Sequence, residues 1–420
     1  MIKTGVLLFL WLYGVQLVQA QFVYDNKVYS PQIKTVQCYN TQKEQSLPVI
    51  ALGSTEQLLF SFDDLRGASR NYWYTIEHCT HDWQPSGLSV LDYVEGASED
   101  RIINYAYSSK TLQQFTHYSL TLPNEQIKPK LSGNYLLKVY ENGDISKPVC
   151  SQRFYIIEKQ VNLSEEITPS TDVALRFTNQ KINFTVSHQI TIQNPYRDLK
   201  IVLMQNGDPL TAKLNTKPTY VKPGSLVYNE ISSNDFSGGN EFRKFDFRNF
   251  RYKATHVQDV WSDSINHVVL FPDQNRNASK YTLESDDNGA FFIRNQDNRD
   301  NDTDTDYATV QFTLNAGTAG NTNGDVYVVG RFNNFRLTEE NKLIYDPAKK
   351  KFLLNLYLKQ GVYDYQYVWK DKSTGKVEMT FFEGSFFETE NNYQAFVYFR
   401  KPGSRWDELI GYQTLSSIQK

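Results

Sequence analysis

Residues 362–369 alternate without a break: Tyr363, Tyr365, Tyr367 and Trp369 fall on one face of an extended chain, and Asp364 and Gln366 on the other. A helix would scatter these rings around its axis, whereas a strand sets them in one row. Phe352, Leu354, Leu356 and Leu358 form a second such row just before. With 28 Tyr and 26 Phe in the chain, this pattern sets the class. Aromatic and β-branched residues suit a pleated, half-buried surface. The expected class is all-β, as tandem immunoglobulin- or early-set-like β-sandwich domains.

A chain of 420 residues exceeds what one hydrophobic core serves. Residues 1–20 read as a secretory signal peptide: Lys3, an apolar run over 6–13, then small residues at Val18 and Ala20 before the cleavage site. Seven alternating runs follow, at 33–39, 58–62, 72–78, 101–107, 118–122, 135–140 and 150–157. They predict an N-terminal sandwich of fibronectin or immunoglobulin type over 21–160. Within it, Gly133-Asn134-Tyr135 reads as a tyrosine corner, its ring buried and its hydroxyl on nearby backbone. The polar stretch 162–170 reads as a linker. A middle β domain is expected over 161–300, with Asn206-Gly207-Asp208 as a hairpin turn. A C-terminal early-set-like sandwich is expected over 301–420.

Composition removes several functions. The formal net charge is −3, one unit more negative once Lys3 leaves with the leader, so no basic excess exists to hold nucleic acid. No later segment is apolar enough to span a membrane as a helix. The 3 cysteines, Cys38, Cys79 and Cys150, imply no disulfide framework and leave their pairing open.

The stretch from Tyr72 to Gly96 concentrates the residue types of a metal or nucleophile site: His78, Cys79, His81 and Asp82. Strand geometry argues against it, because neighbours on a strand point to opposite faces. A strand ending in a turn anchored by Trp83 fits better, with the 81–86 tip open as a contact surface. No Gly-x-Ser-x-Gly or metal-ligand spacing appears, so no enzyme and no cofactor are expected. Asp300, Asp302, Asp304 and Asp306 are spaced by two and invite a calcium reading. The EF-hand pattern fails at Thr305 and Gln311, where Gly and Glu would stand, so a solvated loop is the better reading.

Longer strings carry a resemblance. They are TIEHCTHDWQPSGLSVLDYVEG, Phe115-Thr116-His117-Tyr118 with Leu122-Pro123-Asn124, SGNYLLKVYENGD, FSGGNEFRKFD, VYVVGRFNNF, LKQGVYDYQYVW and EGSFFETENNYQAFVYFRKPGSRWDELIGY. Together they resemble the plug protein family of the type IX secretion system of Bacteroidota across nearly all of 22–415. The resemblance implies a periplasmic, non-enzymatic protein, with one copy on each translocon. It would occlude the periplasmic opening of the giant outer-membrane barrel when no cargo is in transit. Trp83, Pro85 and Phe335 are the expected partner contacts, since exposed aromatic anchors dominate interface energy. Asp263-Ser264-Ile265 resembles the acceptor tripeptide of periplasmic O-glycosylation, with Ser264 as the acceptor. The third region also resembles glycogen- and starch-binding early-set modules, with Phe335 where those carry Trp. That gives the alternative of a carbohydrate-binding protein.

Overall fold

The computed structural model describes residues 21–230, 233–296, 300–315, 317 and 323–417. The expected signal peptide at 1–20 lies outside the described residues. Nearly every element is a strand, and the sheets face one another in pairs around separate apolar cores.

In the N-terminal unit, strands Pro148–Ile157, Gly133–Glu141 and Tyr72–Cys79 lie side by side, antiparallel. They face a second sheet of Ile33–Asn40, Leu58–Asp64, Thr116–Leu122 and Asn104–Tyr107. Alternation decides the orientation of Tyr72–Cys79: Tyr72, Tyr74, Ile76 and His78 are buried while Trp73, Thr75 and Glu77 keep partial exposure. Tyr135 lies directly opposite His78. Its hydroxyl donates to the Leu131 carbonyl over 2.9 Å, the bond expected of a tyrosine corner.

The middle unit departs from the contiguous arrangement expected over 161–300. One sheet holds Val161–Pro169, Asn179–His188, Ser225–Tyr228 and Tyr220–Lys222. The facing sheet begins with Lys213–Asn215 and Leu199–Gln205, then takes Asn392–Phe399 and Glu408–Ser416 from the end of the chain. Leu199, Ile201 and Leu203 share one core with Tyr393, Ala395, Val397 and Ile410. The C-terminal strands therefore belong to the middle unit.

The third unit is inserted between those halves, and the boundary expected at 300 runs through its core. Phe291–Ile293, before that boundary, pairs with Gly361–Asp371 after it. Arg243–Asp246 and Gly324–Val329 pair with the same long strand. Opposite lies a sheet built on Tyr307–Asn315 and Lys351–Lys359. Tyr363, Tyr365, Tyr367 and Trp369 form the wall of this core, as their single face demands. Under it, Arg243 forks onto Glu383 and reaches Asp273 at 2.8 Å, while the Tyr365 and Tyr367 hydroxyls each donate to Asp273 over 2.7 Å.

Candidate functional site

The residues singled out in the HCTHDW turn take separate partners. His78 is fully buried, with Nε2 3.2 Å from the Ser132 carbonyl and Tyr135 edge-on at 5.0 Å. Burial lowers its pKa to about 4, so the ring is neutral at pH 7. Burial pushes the Cys79 thiol up to about 12, which leaves it inert as a nucleophile. Cys38, Cys79 and Cys150 are all free thiols. Among the described residues, no group of three or more His, Cys, Asp or Glu side chains could hold a metal ion.

His81 instead crosses to the middle unit. Its backbone amide and its Nδ1 lie 3.0 and 2.9 Å from one Asp407 oxygen. Arg400 closes the same carboxylate with a fork at 2.8 and 2.9 Å. Burial alone would raise the pKa of Asp407; the His81 and Arg400 hydrogen bonds hold it well below the carboxylate range instead. Beside this pair, Trp83 packs edge-on to Tyr155 at 5.2 Å, and Tyr155 stacks on Phe396 at 4.6 Å. Arg153 covers the Trp83 ring at 4.4 Å. Gly133 is obligatory here: its φ is +144°, and a Cβ would lie 2.5 Å from His78 Nε2.

The N-terminal and third units are tied by a buried charge cluster. Asp63 accepts from Lys359 Nζ at 2.7 Å and from the Tyr307 hydroxyl at 2.6 Å, and His117 Nδ1 lies 2.7 Å away. Lys359 also donates to the Asp302 carbonyl over 2.7 Å and sits over the Phe115 ring at 4.1 Å. Asp306 accepts the amides of Leu112 and Gln113 at 2.6 and 3.1 Å.

The middle and third units meet at their crossing chains. Asn391 donates to the Gly238 carbonyl over 2.8 Å and to Gln180 Oε1 over 3.1 Å. A Cβ on Gly238 would collide with the Phe386 carbonyl at 1.9 Å, so only glycine allows this approach. Arg331 reaches all three units: anchored in the third, it donates from Nη1 to the Gln45 carbonyl of the first and from Nη2 to the Asn206 carbonyl of the middle, the latter over 3.3 Å.

Several expectations change against this geometry. Phe335 is 1 % exposed and packs on Phe242 with ring centroids 6.3 Å apart, so it is core and not an anchor for a partner or a sugar. Trp83 is half-buried in the seam, while Pro85 stands exposed at the turn tip. The aspartates of the proposed calcium loop diverge: Asp300 accepts the amides of Asp302 and Thr303, and Asp306 turns inward to residues 112–113. Ser264 is exposed in the turn between Val257–Ser262 and Asn266–Leu270.

Asp407, Lys359, Asp63 and Arg331 were missed as a set. A usable signal existed for Lys359 and Asp63: each is a charge at the end of a largely apolar run, Lys359 alone in LLNLYLK and Asp63 beside Asp64 in LLFSFDD.

The family model described as "Type 9 secretion system plug protein 1st domain" matches residues 33–158. A search of curated proteins finds no match. The crystal structure of a hypothetical protein from Parabacteroides merdae ATCC 43184 is similar, with 32% sequence identity and a TM-score of 0.90. The similarity covers 95% of this chain and 100% of that one, so the whole three-unit arrangement is shared. The chain belongs to the type IX secretion system plug protein family, whose first domain it carries over residues 33–158.

Proposed function

We propose that this protein is the plug of the type IX translocon: a non-enzymatic periplasmic body, one copy per translocon. It closes the periplasmic opening of the outer-membrane barrel when no cargo is in transit. The observation that carries the reading is the seam. Residues from five of the family strings meet across it: His81, Gly133, Arg331, Lys359 and Asp407. A body that occludes a pore must resist deformation, and three sandwiches free to hinge would not. Interfaces between domains of one chain are ordinarily modest and mobile. Here each is pinned by a buried charge or a close backbone approach. No helix among the described residues is long and apolar enough to cross a membrane. Retention at the outer membrane would then come from the barrel itself.

In this reading the exposed tip at Pro85 is a contact point, and Trp83 stiffens the turn behind it. Burial of Phe335 takes away the platform on which the carbohydrate alternative rested. The test is affinity purification of the tagged protein from gently solubilised envelopes. Recovery of a very large outer-membrane barrel is expected. Recovery of no barrel would overturn the reading.

A further inference from the structure

A cavity of about 330 Å³ lies where the three units meet. That volume is at the low end of small-molecule sites, which run from about 300 to 1,000 Å³. Its apolar wall is drawn from every unit, with Leu47 and Tyr155 from the first, Met204 and Phe396 from the middle and Phe335 from the third. Arg153, Lys213 and Arg331 also line it, against a single acidic side chain, Asp82. An anionic chain has thus gathered cations around one apolar hole.

Arg331 is the informative member. Arg153 has its acid, Asp25, at 3.2 Å. Lys213 is held by the Asp235 carbonyl and lies over the Phe236 ring at 4.5 Å. Arg331 bonds only to two backbone carbonyls, and its Nε is buried without a partner. No carboxylate among the described residues lies within ion-pair distance of it. Asp364 acts on it from further off and already faces Lys244 at 3.7 Å. Arg331 is half-buried, with Nε closed off from solvent, and a guanidinium keeps its proton there, so a full positive charge stands without a carboxylate partner at the wall. Leaving a buried charge unpaired is costly, and an anion brought to it recovers that cost.

We propose that this cavity binds a small amphipathic carboxylate, its head on the Arg331 guanidinium and its aliphatic body against Met204, Phe335 and Phe396. One uncompensated planar cation matches one singly charged, bidentate head group. Apolar side chains, Leu47, Met204, Phe335 and Phe396 among them, offer the body its contacts, while Gln37, Gln45 and Gln152 add polar groups to the same wall. The ligand would bridge all three units, and its binding stands apart from the barrel reading.

The test is calorimetric titration of the mature protein with decanoate, below its micellar concentration, and with decanol as the uncharged control. Saturable one-site binding of decanoate is expected, with decanol weaker by about tenfold or more because the charge-assisted bonds are lost. Arg331→Gln should bring the two ligands level. Val202→Trp, at a half-buried wall position, should fill the hole and abolish both while thermal unfolding stays native-like. Should Arg331→Gln fail to fold, the decanol comparison and Val202→Trp still decide. Absence of saturable decanoate binding, or equal affinity of the unaltered protein for decanoate and decanol, would overturn the proposal.

Discussion

Lys359 donates to Asp63 over 2.7 Å, from 296 positions further along the chain, with both side chains 1% exposed. The pair joins the third unit to the first. Burial would raise the pKa of Asp63, yet Lys359 and His117 hold it below the usual value, so the carboxylate stays charged inside the seam. Breaking such a pair from one side leaves an uncompensated buried charge.

Lys359→Met should therefore cost about 3–5 kcal/mol of unfolding free energy. The double variant Asp63→Asn with Lys359→Met should regain a large part of that loss, since neither charge is then stranded. Urea unfolding of the four proteins of this cycle checks both statements. A loss within about 0.5 kcal/mol for Lys359→Met, the range of a surface change, would mean the pair does not hold the seam.

His78 gives the stability an acid slope. Its folded pKa, about 4, lies below the unfolded value near 6.5. Between those values the unfolded chain binds the proton and the folded chain does not. Stability is therefore full above about pH 6.5 and drains as pH falls toward 4, by up to about 3 kcal/mol at 1.36 kcal/mol per unit. His78→Gln, which keeps a donor for the Ser132 carbonyl, should flatten this limb. Urea midpoints measured from pH 4 to 7 give the slope, and an unchanged slope would contradict the assignment.

Asp364 acts with the opposite sign. Burial, then the neighbouring Asp286, raises its pKa to about 7. The folded chain binds this proton more tightly, so the contribution is full below the unfolded pKa and is lost as pH rises through 7. Asp364→Asn should be more stable than the unaltered protein at pH 8 and show no such advantage at pH 4. The asparagine carbonyl still accepts the Asp287 amide, so the loop remains held. Thermal unfolding at the two pH values distinguishes the outcomes.

Ser264 stands in an exposed turn where Asp263 accepts the Ile265 amide at 3.0 Å. If this tripeptide is an O-glycosylation acceptor, intact mass measured on protein from the native periplasm should exceed the sequence mass, and Ser264→Ala should remove the excess. Identical masses before and after substitution would end that assignment.

The all-β class was legible because alternation is local: Tyr72–Cys79 and 362–369 announce their faces within a few residues. The tyrosine corner at Tyr135 was legible for the same reason. The order of the units was not. Asn392–Phe399 pairs with Leu199–Gln205, and an apolar strand such as NYQAFVYF completes any sheet that presents an apolar face. Nothing local names Leu199–Gln205 over the strands nearer in sequence. The seam was hidden by the same distance, since His81 gives no sign of Asp407, 326 positions on. Phe335 misled because GRFNNF reads as a turn, and turns are ordinarily exposed; here Phe242 covers the ring.

The most direct test of the central claim is envelope permeability in cells that keep an intact barrel. Deletion of this protein should admit a large antibiotic that the outer membrane normally excludes. Complementation with the unaltered protein should restore exclusion, and complementation with a folded but seam-weakened Lys359→Met variant should restore it only in part. Equal exclusion with and without the protein, while the barrel is present in normal amount, would contradict the claim that it closes the opening.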